Sequence, residues 1–168
     1  MIPIIIMIIS LLLDGLLTNY LPYIPNDLSL FTPLLTVVSI FIIYPFYRKK
    51  EKKYYITLFI LGIVYDLFFT NLLFFNSLLF LLIGLVSRII NKNYEITFIR
   101  LIIYIPIIII LYESTTALII FIYQLVPITI DKVIYKITHS LLLNIIYIEF
   151  IYLLLKIIPI KYKKISIN

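Results

Sequence analysis

There is no cysteine and no tryptophan among the 168 residues, and only three glycines. Without cysteine, disulfides, thiolate catalysis and cysteine-ligated zinc are excluded. Three scattered glycines leave no phosphate cradle, and the P-loop, zincin and nucleophile-elbow patterns are missing. The single histidine, His139, lacks further ligands at metal spacing and reads as a hydrogen-bonded interfacial residue. An aspartyl hydrolase would need two acids in contact, and the surroundings of Asp14 and Asp66 match no such motif. No catalytic residue, cofactor or metal is indicated, and an enzyme is not expected. Charge is scarce as well: 13% of residues are charged and 64% are hydrophobic, whereas a soluble domain is roughly a quarter charged and half apolar.

What is there is a series of apolar runs. At about 20 residues per crossing, the length suits six or seven spans with short loops. The runs cover residues 2–21, 30–47, 54–70, 72–86, 96–126 and 137–160. The expected architecture is therefore all-α: one polytopic membrane bundle over residues 1–168, with about six transmembrane helices and no second domain. The first run has no preceding Lys or Arg and no small-residue cleavage site, so it reads as a retained helix. Pro22 and Pro25 end it, and Pro22 to Ser29 form a loop. The fifth run is too long for an untilted span and contains Pro106, so it must tilt, kink or extend. Pro127 to Lys136 reads as a polar loop.

The formal charge of +6 carries topology rather than nucleic-acid binding, because the basic residues sit at the ends of apolar runs. With the amino terminus in the cytoplasm, the cluster Arg48-Lys49-Lys50-Glu51-Lys52-Lys53, the 88–100 region and the basic tail (Lys156, Lys161, Lys163, Lys164) all lie inside. They hold twelve of the fourteen basic residues, leaving Lys132 and Lys136 outside. The positive-inside rule then places both termini inside. The 48–53 cluster orients the chain and is able to meet anionic lipid headgroups. The pairs Tyr20/Tyr23, Tyr44/Tyr47 and Tyr54/Tyr55 sit where interfacial belts are expected.

Four acids fall inside apolar runs: Asp14, Asp66, Glu113 and Glu149. Each costs roughly 2.5–3.5 kcal/mol at mid-bilayer on insertion scales, and no Lys or Arg is expected at comparable depth. They must be protonated, hydrogen-bonded, water-solvated, or matched by another protein. Thr18 and Thr70 stand at i+4 from Asp14 and Asp66, Thr116 at i+3 from Glu113, and Asn144 adds a polar group in the last run. Bonding between neighbouring helices is the plain reading. Partner binding is the main alternative, and transport the lesser one. Gly62, one turn before Asp66, and likewise Gly15 and Gly84, mark places for close helix contact.

The order of these features resembles the rod shape-determining MreD family of bacteria. The likeness rests on Leu13-Asp14-Gly15, on Leu30-Phe31-Thr32-Pro33-Leu34-Leu35, and above all on Gly62-Ile63-Val64-Tyr65-Asp66 followed by Thr70-Asn71-Leu72-Leu73. Leu111-Tyr112-Glu113, Leu142-Leu143-Asn144 and the basic tail extend it over nearly the whole chain. One departure is Phe74-Phe75-Asn76, where the family often has a glycine soon after the turn. The resemblance implies a non-catalytic subunit of the cell-elongation complex in the bacterial cytoplasmic membrane. Its partner would be MreC, and through it MreB, RodA and a class B penicillin-binding protein; a homodimer is also open. It further implies a helix arrangement similar to the substrate-binding subunits of energy-coupling-factor vitamin transporters. Asp14, Gly62, Tyr65, Asp66, Glu113, Asn144 and Glu149 are the candidate helix-contact or partner-binding residues. The alternative is a substrate-binding subunit of a vitamin importer or another small transporter, but such subunits usually carry an Ala-x-x-x-Ala surface in helix one. Helix one here has no alanine.

Overall fold

A computed structural model describes residues 2–20, 33–70, 72–91, 97–124 and 129–157. The Pro22–Ser29 loop, residues 30–32, Asn71, residues 92–96, Pro127 and the basic tail beyond Lys156 lie outside the described residues, as do the side chains of the Tyr20/Tyr23 pair. The described residues form six helices: α1 (Ile2–Tyr20), α2 (Leu35–Tyr47), α3 (Glu51–Phe69), α4 (Phe75–Asn91), α5 (Phe98–Ile122) and α6 (Ile130–Ile157). Runs such as Ile107 to Ile110 have only modest helix propensity in water and favour strands. Lipid reverses that choice, because backbone groups there must be satisfied within the segment. α1, α5 and α6 are long and apolar enough to cross a membrane, as expected of a membrane protein, while α2 and α4 are apolar but shorter.

The molecule is apolar on the outside. Leu67, Phe68, Ile89, Ile99, Phe121 and Phe150 are among many large side chains left exposed, while Ser10, Asp14, Ser39, Asp66, Asn76, Ser87, Asn91, Ser140 and Asn144 are buried. Helix stripes explain this arrangement. On α6 the buried positions are Ser140, Asn144, Tyr147, Ile148, Ile151, Tyr152 and Leu155, spaced by three and four residues along one face.

That face looks toward α2, the central element. Every residue from Leu34 to Tyr44 is buried, and α2 packs against all five other helices. Its 13 residues span about 20 Å at the α-helical rise, short of the roughly 30 Å hydrocarbon layer. The strongest packing otherwise joins consecutive helices, α3 to α4 and α5 to α6.

Several boundaries differ from the runs read in the sequence. α2 starts at Leu35 rather than 30, after Pro33 and the non-helical Leu34. α3 takes in Glu51 to Lys53 because Glu51 pairs with Arg88, at 2.9 Å from its Nη2 and 3.0 Å from its Nε. α4 runs from Phe75 to Asn91 instead of 72–86, since Arg88 pairs with Glu51 of α3 and the buried Asn91 bonds α2. α5 is trimmed to Phe98–Ile122. α6 begins seven residues early, at Ile130, so most of the expected Pro127–Lys136 loop is helix. The tyrosines at 44 and 54 also differ from expectation. Both are fully buried, packed edge to face at 5.3 Å, and Tyr54 donates its hydroxyl to Ile40 O at 3.0 Å. They are core groups rather than an interfacial belt.

Pro45 in α2 has no N–H to give to the carbonyl of Phe41, four residues earlier. Asn91 supplies the missing donor, with Nδ2 at 3.3 Å from Phe41 O, and Arg48 Nη2 in turn binds Asn91 O at 2.7 Å. Asn91→Ala is expected to cost about 1 kcal/mol. In a Pro45→Ala background, where an N–H returns, the cost should shrink. Thermal unfolding of the four members of this cycle tests the account, and equal losses in both backgrounds would refute it.

Candidate functional site

Many of the buried polar groups, Asp14, Asp66, Asn76 and Asn144 among them, gather at the end of the bundle where α2 and α4 begin. The first four N–H groups of a helix lack intrahelical acceptors, and the N-cap residue of α2, Leu34, has no side chain that can serve. Two other helices supply acceptors for three of them. Asp14 of α1 accepts from Leu35 N through Oδ1 and from Thr36 N through Oδ2, both at 2.8 Å. Asn144 of α6 accepts from Leu34 N at 2.9 Å through Oδ1 and anchors its own Nδ2 on Ser140 O. The helix dipole favours a carboxylate at this point. Thr18 does not reach the Asp14 carboxylate; it bonds the Asp14 carbonyl at 2.7 Å. One turn before Asp14, Ser10 meets the Tyr147 hydroxyl at 2.7 Å.

Asp66 repeats the device one hairpin later. It accepts from Asn76 N at 3.0 and 3.1 Å, from Asn76 Nδ2 at 2.8 Å and from Thr70 Oγ1 at 2.9 Å, closing the start of α4 onto α3. Tyr112 of α5 donates to Asn76 Oδ1 at 2.8 Å, and the Tyr65 ring packs against Phe69 at 4.7 Å and Phe80 at 5.4 Å. Gly62 lets this corner close. A Cβ there would collide with Ser77 Cα, stand 2.5 Å from Ser77 N and 2.9 Å from Asn76 C. The glycine-poor turn is strained instead at Phe74, whose φ of 67° is left-handed. Its ring stacks on Phe59 at 6.2 Å. The departure at Phe74-Phe75-Asn76 therefore falls on backbone that suits glycine, yet α3 and α4 still meet at backbone contact.

Glu113 corrects another expectation. Lys136 lies in α6, not in a loop, and its ammonium reaches Glu113 Oε2 at 3.0 Å. A basic residue does stand at the depth of this acid. Glu113 is 3% exposed, and neither its Oε1 nor Thr116 Oγ1 has a partner among the described residues. Glu149, further along α6, is half-buried and has none at either oxygen. His139 stacks on Tyr135 at 3.6 Å and its Nδ1 lies 2.8 Å from Tyr135 O. Among the described residues no cluster of acids and histidine could hold a metal.

The seven candidate residues thus divide. Asp14, Tyr65, Asp66, Gly62, Asn144 and Glu113 make contacts within the chain, the first two acids at 1% exposure. Among the described residues, Glu149 alone of the acids in the apolar runs has no hydrogen-bond partner. Asn76, Tyr112, Lys136 and Asn91 escaped the sequence reading. Their signals were faint: a polar residue just after a turn, a Tyr beside Glu113, a Lys near a run's end, and a proline needing a donor.

Fold and site define an all-helical membrane protein whose polar groups close its own helix ends. Comparison with protein-family models, curated proteins and solved structures finds no match to this chain.

Proposed function

We propose that this chain is a non-catalytic, multi-pass subunit of the bacterial cell-elongation complex, related to MreD, that binds MreC within the cytoplasmic membrane. Through MreC it would be linked to MreB, RodA and a class B penicillin-binding protein. Six helices enter the bilayer, with both termini and the 48–53 cluster on the cytoplasmic side. The resemblance at Gly62–Asp66 motivates the family, and the state of Glu149 carries the role. Asp14 and Asp66 are engaged inside the chain, and Glu113 has one oxygen committed to Lys136, so these three offer a partner less. Glu149 keeps a carboxyl group on α6 without any donor among the described residues. At a cost of roughly 2.5–3.5 kcal/mol in hydrocarbon, that group is best accommodated against a donor from a second protein.

Glu149→Leu is expected to leave membrane insertion intact and to lower copurification of MreC by about tenfold, the effect of roughly 1.4 kcal/mol. Undiminished copurification would remove Glu149 from the interface. Depleting the chain in the bacterium that encodes it should round the cells. Rods that persist, or a vitamin retained by the purified protein in place of MreC, would overturn the elongation reading in favour of an importer subunit.

A further inference from the structure

Where α5 and α6 part, near the end of the bundle at which α2 and α4 begin, they leave a half-open pocket of about 110 Å³. Its polar lining is Glu113, Thr116, Lys132 and Lys136, and its apolar wall is Ala117, Ile120 and Val133. Two features set it apart from a simple gap between helices. Glu113 is buried and has one oxygen committed to Lys136. The other oxygen and the Thr116 hydroxyl are both buried with no partner among the described residues. A buried acceptor left open costs about 1–3 kcal/mol, so the pocket is set to receive a hydrogen-bond donor. The second feature is charge. One carboxylate and two ammonium groups leave a single positive charge, and Lys132 makes no ion pair among the described residues.

The occupant must therefore bring one negative charge and at least one O–H or N–H donor. It must also tolerate an apolar wall, on helices that carry exposed Phe121, Ile130 and Ile134 nearby in sequence. We propose that the pocket binds the headgroup of an anionic phospholipid with free hydroxyls, of the phosphatidylglycerol type. The phosphodiester sits on Lys132, the headgroup hydroxyls donate to Glu113 Oε1 and engage Thr116 Oγ1, and the acyl chains run along Ile120 and Val133. A choline headgroup is neutral overall and has no donor. An ethanolamine headgroup has donors but leaves the site's positive charge unmatched. The inference rests on the membrane placement of α5 and α6 and not on any role in cell elongation.

The test is native mass spectrometry of the full chain released from nanodiscs of equal phosphatidylglycerol, phosphatidylethanolamine and phosphatidylcholine. Phosphatidylglycerol should be retained about fivefold over phosphatidylcholine, as expected for roughly 1 kcal/mol per interfacial lysine. Lys132→Gln should erase most of that preference. It is an exposed position, so the fold should stay intact, which size-exclusion chromatography checks. Lys156→Gln, exposed at the far end of α6, should leave the preference in place. Equal retention of the three lipids would overturn the proposal. So would a preference that survives Lys132→Gln or disappears with Lys156→Gln. Failure of the chain to incorporate into nanodiscs would instead count against the membrane reading itself.

Discussion

Replacing Asp14 with alanine is expected to lower stability by on the order of 4 kcal/mol, from two buried N–H groups left open at 1–3 kcal/mol each. Leu35 N and Thr36 N both end on this carboxylate, and the helix start is sealed, with no exposed residue from Leu34 to Tyr44. An ordinary surface cap is worth about 0.5–2 kcal/mol because water replaces it; here water is kept out. Asp14→Asn should recover roughly half of the loss, since its single carbonyl oxygen can serve one N–H. Thr18→Val, which removes only a bond to a helix carbonyl, should stay within about 0.5 kcal/mol. The cysteine-free background supplies the measurement. A cysteine placed at Val37 is buried in α2, and its labelling by a thiol reagent during heating reports when the core opens. If Asp14→Ala and Thr18→Val opened at the same temperature, the capping account would be wrong.

Gly62→Ala is expected to be nearly as damaging, at about 3 kcal/mol, the upper part of the range for overpacking. The added methyl meets the backbone of Ser77 and Asn76, which cannot rotate aside, so α3 and α4 must separate. Separation stretches the bonds from Asn76 to Asp66 and hence the link to Tyr112. Gly84→Ala is the matched control. Its Cβ would meet the tip of Leu58, a flexible side chain that can move. Thermal unfolding should therefore separate the two alanines by more than about 1 kcal/mol. Equal effects would mean that the α3–α4 contact is looser than the structure indicates.

These two positions show what the sequence discloses and what it hides. Asp14, Asp66 and Asn144 stand out as polar residues in apolar runs, and Gly62 one turn before Asp66 points to a close contact. Thr70 at i+4 reaches Asp66, as local helix geometry predicts. All of that is local information. The partners that give the acids their purpose are not local. Asp14 meets backbone 21 and 22 residues away, and an N–H has no identity in a sequence. The same blindness made residues 30–47 look like one span: Leu30 and Phe31 extend the apolar run, while the helix start is set by groups on α1 and α6. Lys136 reads as loop because Asp131, Lys132 and Lys136 dilute the apolar run. A pairing with Glu113 becomes visible only once α5 and α6 are side by side.

The bond from Leu34 to Asn144 has a consequence for how the protein is made. It joins groups 110 residues apart in the chain, so the central helix must be synthesised long before its last acceptor exists. Until α6 arrives, Asp14 can already hold Leu35 N and Thr36 N, but Leu34 N has no acceptor and the face of α2 that α6 covers stays open. Its final docking is then a late event, completed only when the ribosome has delivered Asn144. A chain interrupted anywhere before that residue would lose more than its last helix. It would present membrane quality-control proteases with a bundle whose centre has never closed.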